Sequence, residues 1–489
     1  MKNRFLVIGL RSLFSLCLCV SAVNTFSQTE TPPEPSAPKS AKVPAVVEKR
    51  LPNGLTVAVV QKSATPIVTI QLLVRCGASC EDASKAGLAD ITASMLTKGT
   101  KTRTATQIAE AIEFLGGSIN SGAGWNSSFV SVTVTSDKVD QAMAILADVV
   151  LNPKFDEKEL ELLKSQTLDG LTYSLKQPSF LANYVSSKYS FGEHPAGGTP
   201  ASVGGITSGD ITRFHTDNFK PERSVIIFTG DISPARAATM SSGVFGKWKK
   251  TPVFAESGPG IAVRSEQESP LVRRILVVDL PKSGQAAVVY SNSVPTIGRT
   301  NPAYYPASVL NSVFGGGYSS RLNYEIRIKR GLSYGAGSSF GWRSSRANFS
   351  TRAQTKNESA AHVAELVLDE LKKLTSANVA KDELTPRKSV LTGGFGRGLE
   401  TTGGLANALG DLYAFGIPTS ELNKYVGNVN AVSDAQIKEF AAQNLLGGDI
   451  IIVGDYSIFK DDLAKRFPNM RVDVIKADEL DLSKDNLRK

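Results

Sequence analysis

Histidine is nearly missing from this chain, with three in 489 residues: His194, His215 and His362. A catalytic zinc asks for about three side-chain ligands and an open position for water, and these three stand in unrelated contexts. His194 precedes Pro195 in a loop, and His215 falls in a helical segment. His362 and Glu365 form His-x-x-Glu, but Leu366 stands where a second ligand is needed. Packing or surface roles are expected for all three. Cysteine is scarce as well: of four, Cys17 and Cys19 lie in an N-terminal apolar segment, leaving Cys76 and Cys80 in Cys-Gly-Ala-Ser-Cys. No histidine or second cysteine pair lies near them to complete a zinc site, so the alternatives are a local disulfide in an oxidising compartment or free thiols. No later apolar run is long enough to span a membrane. Lysine and arginine are dispersed without an aromatic pattern beside them, which argues against nucleic-acid binding despite a net charge of +9. The glycine cluster Gly315 to Gly317 is not followed by Gly-Lys-Ser/Thr, so no phosphate-binding loop is expected.

The N-terminus has the layout of a secretory signal, residues 1–27. Lys2 and Arg4 supply the charged start, Ser12 to Val23 the apolar run, and Ala22 or Ser27 the small residue before cleavage. Cys17 and Cys19 each follow a leucine, so a lipid anchor is not expected. The chain is therefore expected to be exported and periplasmic, with secretion as the alternative. Residues 28–46, rich in Pro, Ser and Ala, form a linker.

From Lys49 onward the punctuation is that of an α+β protein. Asn53-Gly54 marks a hairpin, and strands follow over Leu55 to Gln61 and Ile67 to Arg75. The second is β-branched on both faces, as in a sheet covered by helices. A helix begins at Gly87, and Thr104 with Gln107 makes a capping box for another. Strands over 118–123 and 128–135, helices over 137–151, 157–171 and 180–191, and a strand over 224–229 complete this block. Residues 251–270 have linker composition, and then the pattern restarts. Leu384 in Asp-Glu-Leu repeats Leu160 in Lys-Glu-Leu 224 residues on. Phe440 before Ile450-Ile451-Ile452 repeats Phe214 before Val225-Ile226-Ile227 at an offset of 226. Two matching offsets predict a duplicated domain: residues 47–250 and 271–475, each an antiparallel-rich sheet with a helical cluster, then a polar tail over 476–489. Gly393 to Gly398, a second glycine cluster, is expected to be a helix break or flexible loop between two helices rather than a ligand site.

The stretch Gly87-Leu88-Ala89-Asp90-Ile91-Thr92-Ala93-Ser94-Met95, ending at Gly99-Thr100, resembles the active-site helix of the pitrilysin/insulinase-type zinc peptidases, the inverted zincins. In that family Gly-Leu-Ala precedes His-x-x-Glu-His. Here Asp90 and Ser94 occupy the histidine positions and Ala93 that of the general-base glutamate. The family's third ligand is a glutamate some seventy residues on, where this chain has Gln166-Thr167-Leu168-Asp169-Gly170-Leu171. The alternative for this region is a weak carboxylate site for another metal, built from Asp90 and Asp169. Farther on, Gly315-Gly316-Gly317-Tyr318-Ser319-Ser320-Arg321-Leu322 and Arg327-Ile328-Lys329-Arg330-Gly331-Leu332-Ser333-Tyr334 resemble the family's second signature, whose Arg/Tyr pair binds substrate. The resemblance spans roughly residues 46 to 470. It implies two related α+β domains, and substrate peptide added to a sheet edge, here 118–135 with Trp125, Asn126 and Phe129, which serve equally as packing residues.

The metal positions are erased while the Arg/Tyr signature is kept. The expectation is a non-catalytic subunit of a heterodimeric periplasmic zinc metallopeptidase. It binds no cofactor itself, presents Arg327 and Tyr334 to extended peptide, and relies on a homologous partner chain for zinc. The alternatives are a structural or assembly subunit and a stand-alone peptide-binding module.

Overall fold

Strand pairing in the computed structural model, which describes residues 43–250, 272–484 and 486–489, builds two six-stranded sheets. The expected signal segment and the linker over 251–270 lie outside the described residues. The first sheet uses β1 (Val47–Arg50), β2 (Thr56–Gln61), β3 (Ile67–Val74), β4 (Ser118–Ala123), β5 (Ser128–Thr135) and β6 (Ser224–Gly230) in the order β1-β2-β6-β3-β5-β4. The second uses β7 (Val272–Asp279), β8 (Ala286–Pro295), β9 (Ser333–Trp342), β10 (Arg346–Thr355), β11 (Gly448–Gly454) and β12 (Val472–Lys476) in the order β12-β7-β11-β8-β10-β9. Apart from the outermost strand of each, the orders superimpose: β2, β6, β3, β5 and β4 answer to β7, β11, β8, β10 and β9. The senses agree too. β6 runs parallel to β2 and antiparallel to β3, as β11 does with β7 and β8. The sheets are mixed but mostly antiparallel, and the architecture is α+β.

Period-two alternation sets what each face buries. Val57, Val59, Ile226 and Phe228 turn to one core together with α1 (Leu88–Met95), α2 (Ala105–Phe114) and α3 (Val139–Leu151). Their neighbours Ala58, Val60, Val225 and Ile227 turn to the opposite face. That face is covered by the other half of the chain. Two long helices, α4 (Glu157–Ser174) and its later counterpart, lead into the crossing elements α5 (Pro178–Tyr189) and the helix Thr402–Ala414. Leu405, Ala406, Leu409 and Leu412 of the latter close over the first sheet. Thr402 is pinned there by Thr69 at 2.8 Å and by Thr229, whose hydroxyl donates to its carbonyl at 2.8 Å. Reciprocally, Leu181, Ala182, Tyr184 and Val185 of α5 cover Leu276, Val278, Val289, Ile451 and Val453 of the second sheet. The halves therefore exchange a helix, and both crossing helices begin 224 residues apart, the offset already present in the sequence.

Several expected boundaries shift. Helix α1 stops at Met95, because Gly99 turns with φ 139° and Gly99 and Thr100 make bridges to Thr104 and Pro153. The capping box at Thr104 and Gln107 forms. Gly393 to Gly398 is not a break: it lies within one helix, Lys381–Gly398, which also runs through Pro386. Each interior glycine weakens a helix by about 1 kcal/mol relative to alanine, but Leu391 packs on the second core and Phe395 stacks on Tyr425 at 4.3 Å, so tertiary contacts override the local preference. The polar tail is packed rather than loose, with Leu482 and Leu487 buried under α5 against the second sheet.

His215, on α6 (Ser208–Asn218), packs between Phe155 at 5.4 Å and Phe219 at 4.7 Å, and its Nε2 donates to the Val150 carbonyl at 2.9 Å. Burial pushes its pKa down to about 4 although the Val150 carbonyl favours the charged ring. A histidine held neutral when folded binds fewer protons than when unfolded, so stability rises with pH between the folded and unfolded pKa values and is flat above them. Urea unfolding at pH 4.5 and 7.5 should show the wild type losing up to about 3 kcal/mol at the lower pH from this group, and His215→Gln should lose that component of the difference.

Candidate functional site

The entry to α1 is a close-packed turn. Gly87 sits at φ 91°, and a Cβ there would meet the Gly198 backbone at 3.0 Å. The Glu81 carboxylate, fully buried, accepts from the Gly87 and Ala89 amides at 2.8 and 2.6 Å, as an acid placed at the positive end of a helix should. His194 bonds the same carboxylate at 3.0 Å and packs at a tilt against Trp125, with ring centres 5.0 Å apart. Cys76 and Cys80, joined as a disulfide with Cα atoms 5.7 Å apart, bracket the turn leading to Glu81.

At the motif itself, Asp90 accepts from the Ala123 amide of β4 at 3.4 Å. Burial raises its carboxyl above the ordinary carboxylate range, against the pull of that amide. Ala93 is buried and Ser94 half-buried. A carboxyl whose charged form is disfavoured by burial, a methyl and a hydroxyl are not a donor set for zinc. Asp169 is exposed on α4, and among the described residues no group of three or more His, Cys, Asp or Glu side chains could hold a metal ion. A raised carboxylate pKa means the charge opposes folding once pH exceeds the unfolded value and is harmless below it. Asp90→Asn, which keeps the acceptor for Ala123, should therefore raise the thermal midpoint at pH 7, with the gain shrinking towards pH 3.5.

The second motif is folded around its glycines. Helix α7 (Tyr304–Phe314) ends at Gly315, whose carbonyl accepts from the Ser338 amide of β9 at 3.0 Å; a Cβ on Gly315 would lie 2.4 Å from that nitrogen. Asn323 ties the loop to the strand, its Oδ1 accepting from the Ala336 amide at 3.2 Å and its Nδ2 donating to the Tyr318 carbonyl. Arg327 lies on a π-helical turn, Tyr324–Ile328, a geometry often met at functional sites. Gly331, at φ 63°, reverses the chain so that Tyr334 returns to Arg327. The guanidinium carbon sits 4.6 Å from the Tyr334 ring centre and 5.0 Å from that of Tyr318. The nearby carboxylate, Glu325, is taken by Lys329 and Arg330. Arg327 is thus a cation held between two rings with its donors uncommitted, while Tyr334 is 89% and Tyr318 67% exposed.

Arg327, Tyr318 and Tyr334 line a cavity of about 690 Å³, together with Asn183 of α5 and with Arg352 and Gln354 of β10. A free guanidinium fork and a phenol hydroxyl facing such a space suit the main-chain oxygens of an extended peptide. Trp125 and Asn126 have a different place. Trp125 lies between His194 and Arg343, and Asn126 donates to the Trp342 carbonyl at 3.1 Å, so both fasten the β4–β5 hairpin to the β9–β10 hairpin. Glu193 reinforces that seam through Arg343, Arg346 and Asn348. Phe129 is half-buried on β5. Tyr318, Asn323 and Arg352 are further members of the site, beyond the Arg/Tyr pair expected from the sequence. Tyr318 stands directly against the glycine cluster, which was a usable signal; nothing in the sequence places β10 beside Arg327.

Residues 56–188 match a family described as Insulinase (Peptidase family M16), and residues 205–391 match the Peptidase M16 inactive domain. An uncharacterized zinc protease of Mycobacterium leprae is 27% identical over 425 residues, 83% of this chain and 91% of that protein. One from Rickettsia felis is 26% identical over 391 residues, 78% and 91% respectively. Among solved structures, the peptidase M16 inactive domain from Pseudomonas fluorescens superimposes with a TM-score of 0.75 at 26% identity, covering 84% of this chain and 98% of that one. A protease from Helicobacter pylori shares the fold, with a TM-score of 0.77 at 18% identity, covering 84% and 100%.

Proposed function

Because this chain belongs to the insulinase family of peptidases, M16, we propose that it is the substrate-holding, non-hydrolytic subunit of a periplasmic peptidase whose zinc is carried by a homologous partner. The observation that carries this reading is the contrast between its two motifs. Where the family keeps His-x-x-Glu-His there are a half-buried carboxyl bonded to the chain's own sheet, a methyl packed in its core and a half-buried hydroxyl. Where the family keeps its Arg/Tyr pair, both side chains are present, stacked, and uncommitted beside a cavity. A chain that had drifted free of peptide chemistry would have no reason to hold one and lose the other.

The division of labour follows from the residue chemistry. Water activation needs a metal and a base, which the partner would supply. Arg327 would hold peptide carbonyl oxygens in its planar fork, and the Tyr334 hydroxyl would donate to the oxygen on which charge develops during attack. The test is co-expression with a relative that carries an intact His-x-x-Glu-His. The two chains should co-purify and cleave an unfolded peptide together, while neither does so efficiently alone. Stoichiometric zinc binding with hydrolysis by this chain alone would overturn the reading, as would a partner that cleaves equally fast without it.

A further inference from the structure

The charge lining of the cavity beside Arg327 is one-sided. Between β7 and the end of β10, seven arginines have a carboxylate partner: Arg273 and Arg274 with Asp449, Arg299 with Asp411, Arg321 with Glu383, Arg330 with Glu325, and Arg343 and Arg346 with Glu193. The two without one in that stretch are Arg327 and Arg352, and both line this cavity. No aspartate or glutamate lines it among the described residues. An unpaired arginine at a surface is ordinary; two facing one concavity from which acids are absent, in a region where the others are paired, is a site that lacks its anion.

The seat of Arg352 is built by the strand register. Arg352 pairs with Gly337 of β9, and a Cβ at Gly337 would stand 3.2 Å from the Arg352 guanidinium and 3.0 Å from the Gly315 carbonyl. The missing side chain lets the guanidinium lie along the strand beside the glycine loop that carries Tyr318. Alternation puts Ala353 and Thr355 in the buried layer and Arg352 with Gln354 on the α5 side, where Gln354 meets Ser179 at 3.0 Å. Arg352 therefore has no packing role on the core side of β10, and its donors face the cavity.

We propose that Arg352 is a specificity-determining residue, selecting peptides that place a carboxylate in this cavity while Arg327 and Tyr334 hold the backbone. The carboxylate can come from a glutamate or aspartate side chain or from a peptide C-terminus, and in either case the guanidinium fork accepts it through two parallel charge-assisted bonds. The inference rests on the proposed peptide-holding role and adds the class of peptide to it.

The test is fluorescence anisotropy on the full chain at low ionic strength, where a charged contact is least screened. Three labelled peptides are compared: one amidated with an internal glutamate, one amidated with glutamine there, and the glutamine peptide with a free C-terminus. Wild type should bind a carboxylate-bearing peptide about tenfold more tightly than the amidated glutamine peptide, the size expected of a charge-assisted bond at a half-open site. Arg352→Gln should erase that ratio and leave thermal stability unchanged; Arg352→Lys should keep part of it; Arg327→Ala should weaken all three peptides alike. A preference for the internal glutamate assigns the site to an acidic side chain, and a preference for the free terminus assigns it to a chain end. Equal binding of all three by wild type overturns the role of Arg352 and leaves the peptide-holding role standing. Failure of wild type to bind any of them overturns both.

Discussion

Residues 47–250 expressed alone should not yield a folded monomer. In the full chain the outer face of the first sheet, with Ala58, Val60, Leu73, Val225 and Ile227, is covered by Leu405, Leu409 and Leu412 from the other half. Removing that half uncovers a contiguous apolar surface and strands Leu181, Tyr184 and Val185 of α5, which have their partners on the second sheet. Apolar exposure costs about 25 cal/mol per Å², and several such side chains together outweigh the few kcal/mol by which a domain is normally stable. Each half alone is expected to aggregate, whereas the two halves produced as separate chains in one cell should assemble, since the exchange is fully reciprocal. A sharper version keeps the chain whole. Leu409→Ala, at a site with no exposure, should lower unfolding free energy by about 2–5 kcal/mol, while Leu162→Ala on the exposed side of α4 should stay within about 0.5 kcal/mol. Circular dichroism during urea unfolding reads both. A cooperative, native-like transition from residues 47–250 alone would show that the exchanged helix is dispensable.

That exchange marks where the sequence stopped speaking. The strands were legible because alternation is a local signal, and the run Ile67 to Arg75, β-branched on both faces, announced a sheet covered on both sides. What covered the second face was not legible: an amphipathic helix such as Pro178–Tyr189 shows which of its sides is apolar but not which sheet that side meets. The 224-residue offset held the answer only in part, since it revealed the repeat and not the crossing. Gly393 to Gly398 misled for the opposite reason, because local glycine chemistry pointed to a break and the contacts of Leu391 and Phe395 decided otherwise. At the site, spacing within one stretch sufficed for Arg327 and Tyr334, which a single chain reversal brings together. Arg352 comes from a different strand and shares the cavity through sheet register, information that no window on the sequence contains. His194 shows the same limit, since its partner Glu81 lies 113 residues earlier.

Arg327→Ala should reduce kcat/KM of the reconstituted two-chain peptidase by about 10²–10³-fold, the loss expected when a charged planar fork making two bonds to peptide carbonyl oxygens is removed. Tyr334→Phe should cost less, about 10-fold to 100-fold, the equivalent of one hydrogen bond to a charged acceptor. The phenylalanine variant is the informative one because it preserves the ring against which Arg327 rests and removes only the hydroxyl. Tyr334→Ala removes both, and Arg327 would then keep a single aromatic neighbour, Tyr318, at 5.0 Å. The alanine variant should therefore approach Arg327→Ala in severity. Arg327→Lys separates charge from geometry: it retains a cation over the rings but not the planar fork, so activity should be recovered only in part. Zinc content and co-purification of the two chains must be unchanged in all four variants, because Arg327 and Tyr334 make no ion pair or buried contact on which the fold depends. If the four variants cleave at the wild-type rate, the pair holds no substrate, and the uncommitted arginine between two exposed tyrosines is a surface for some other partner.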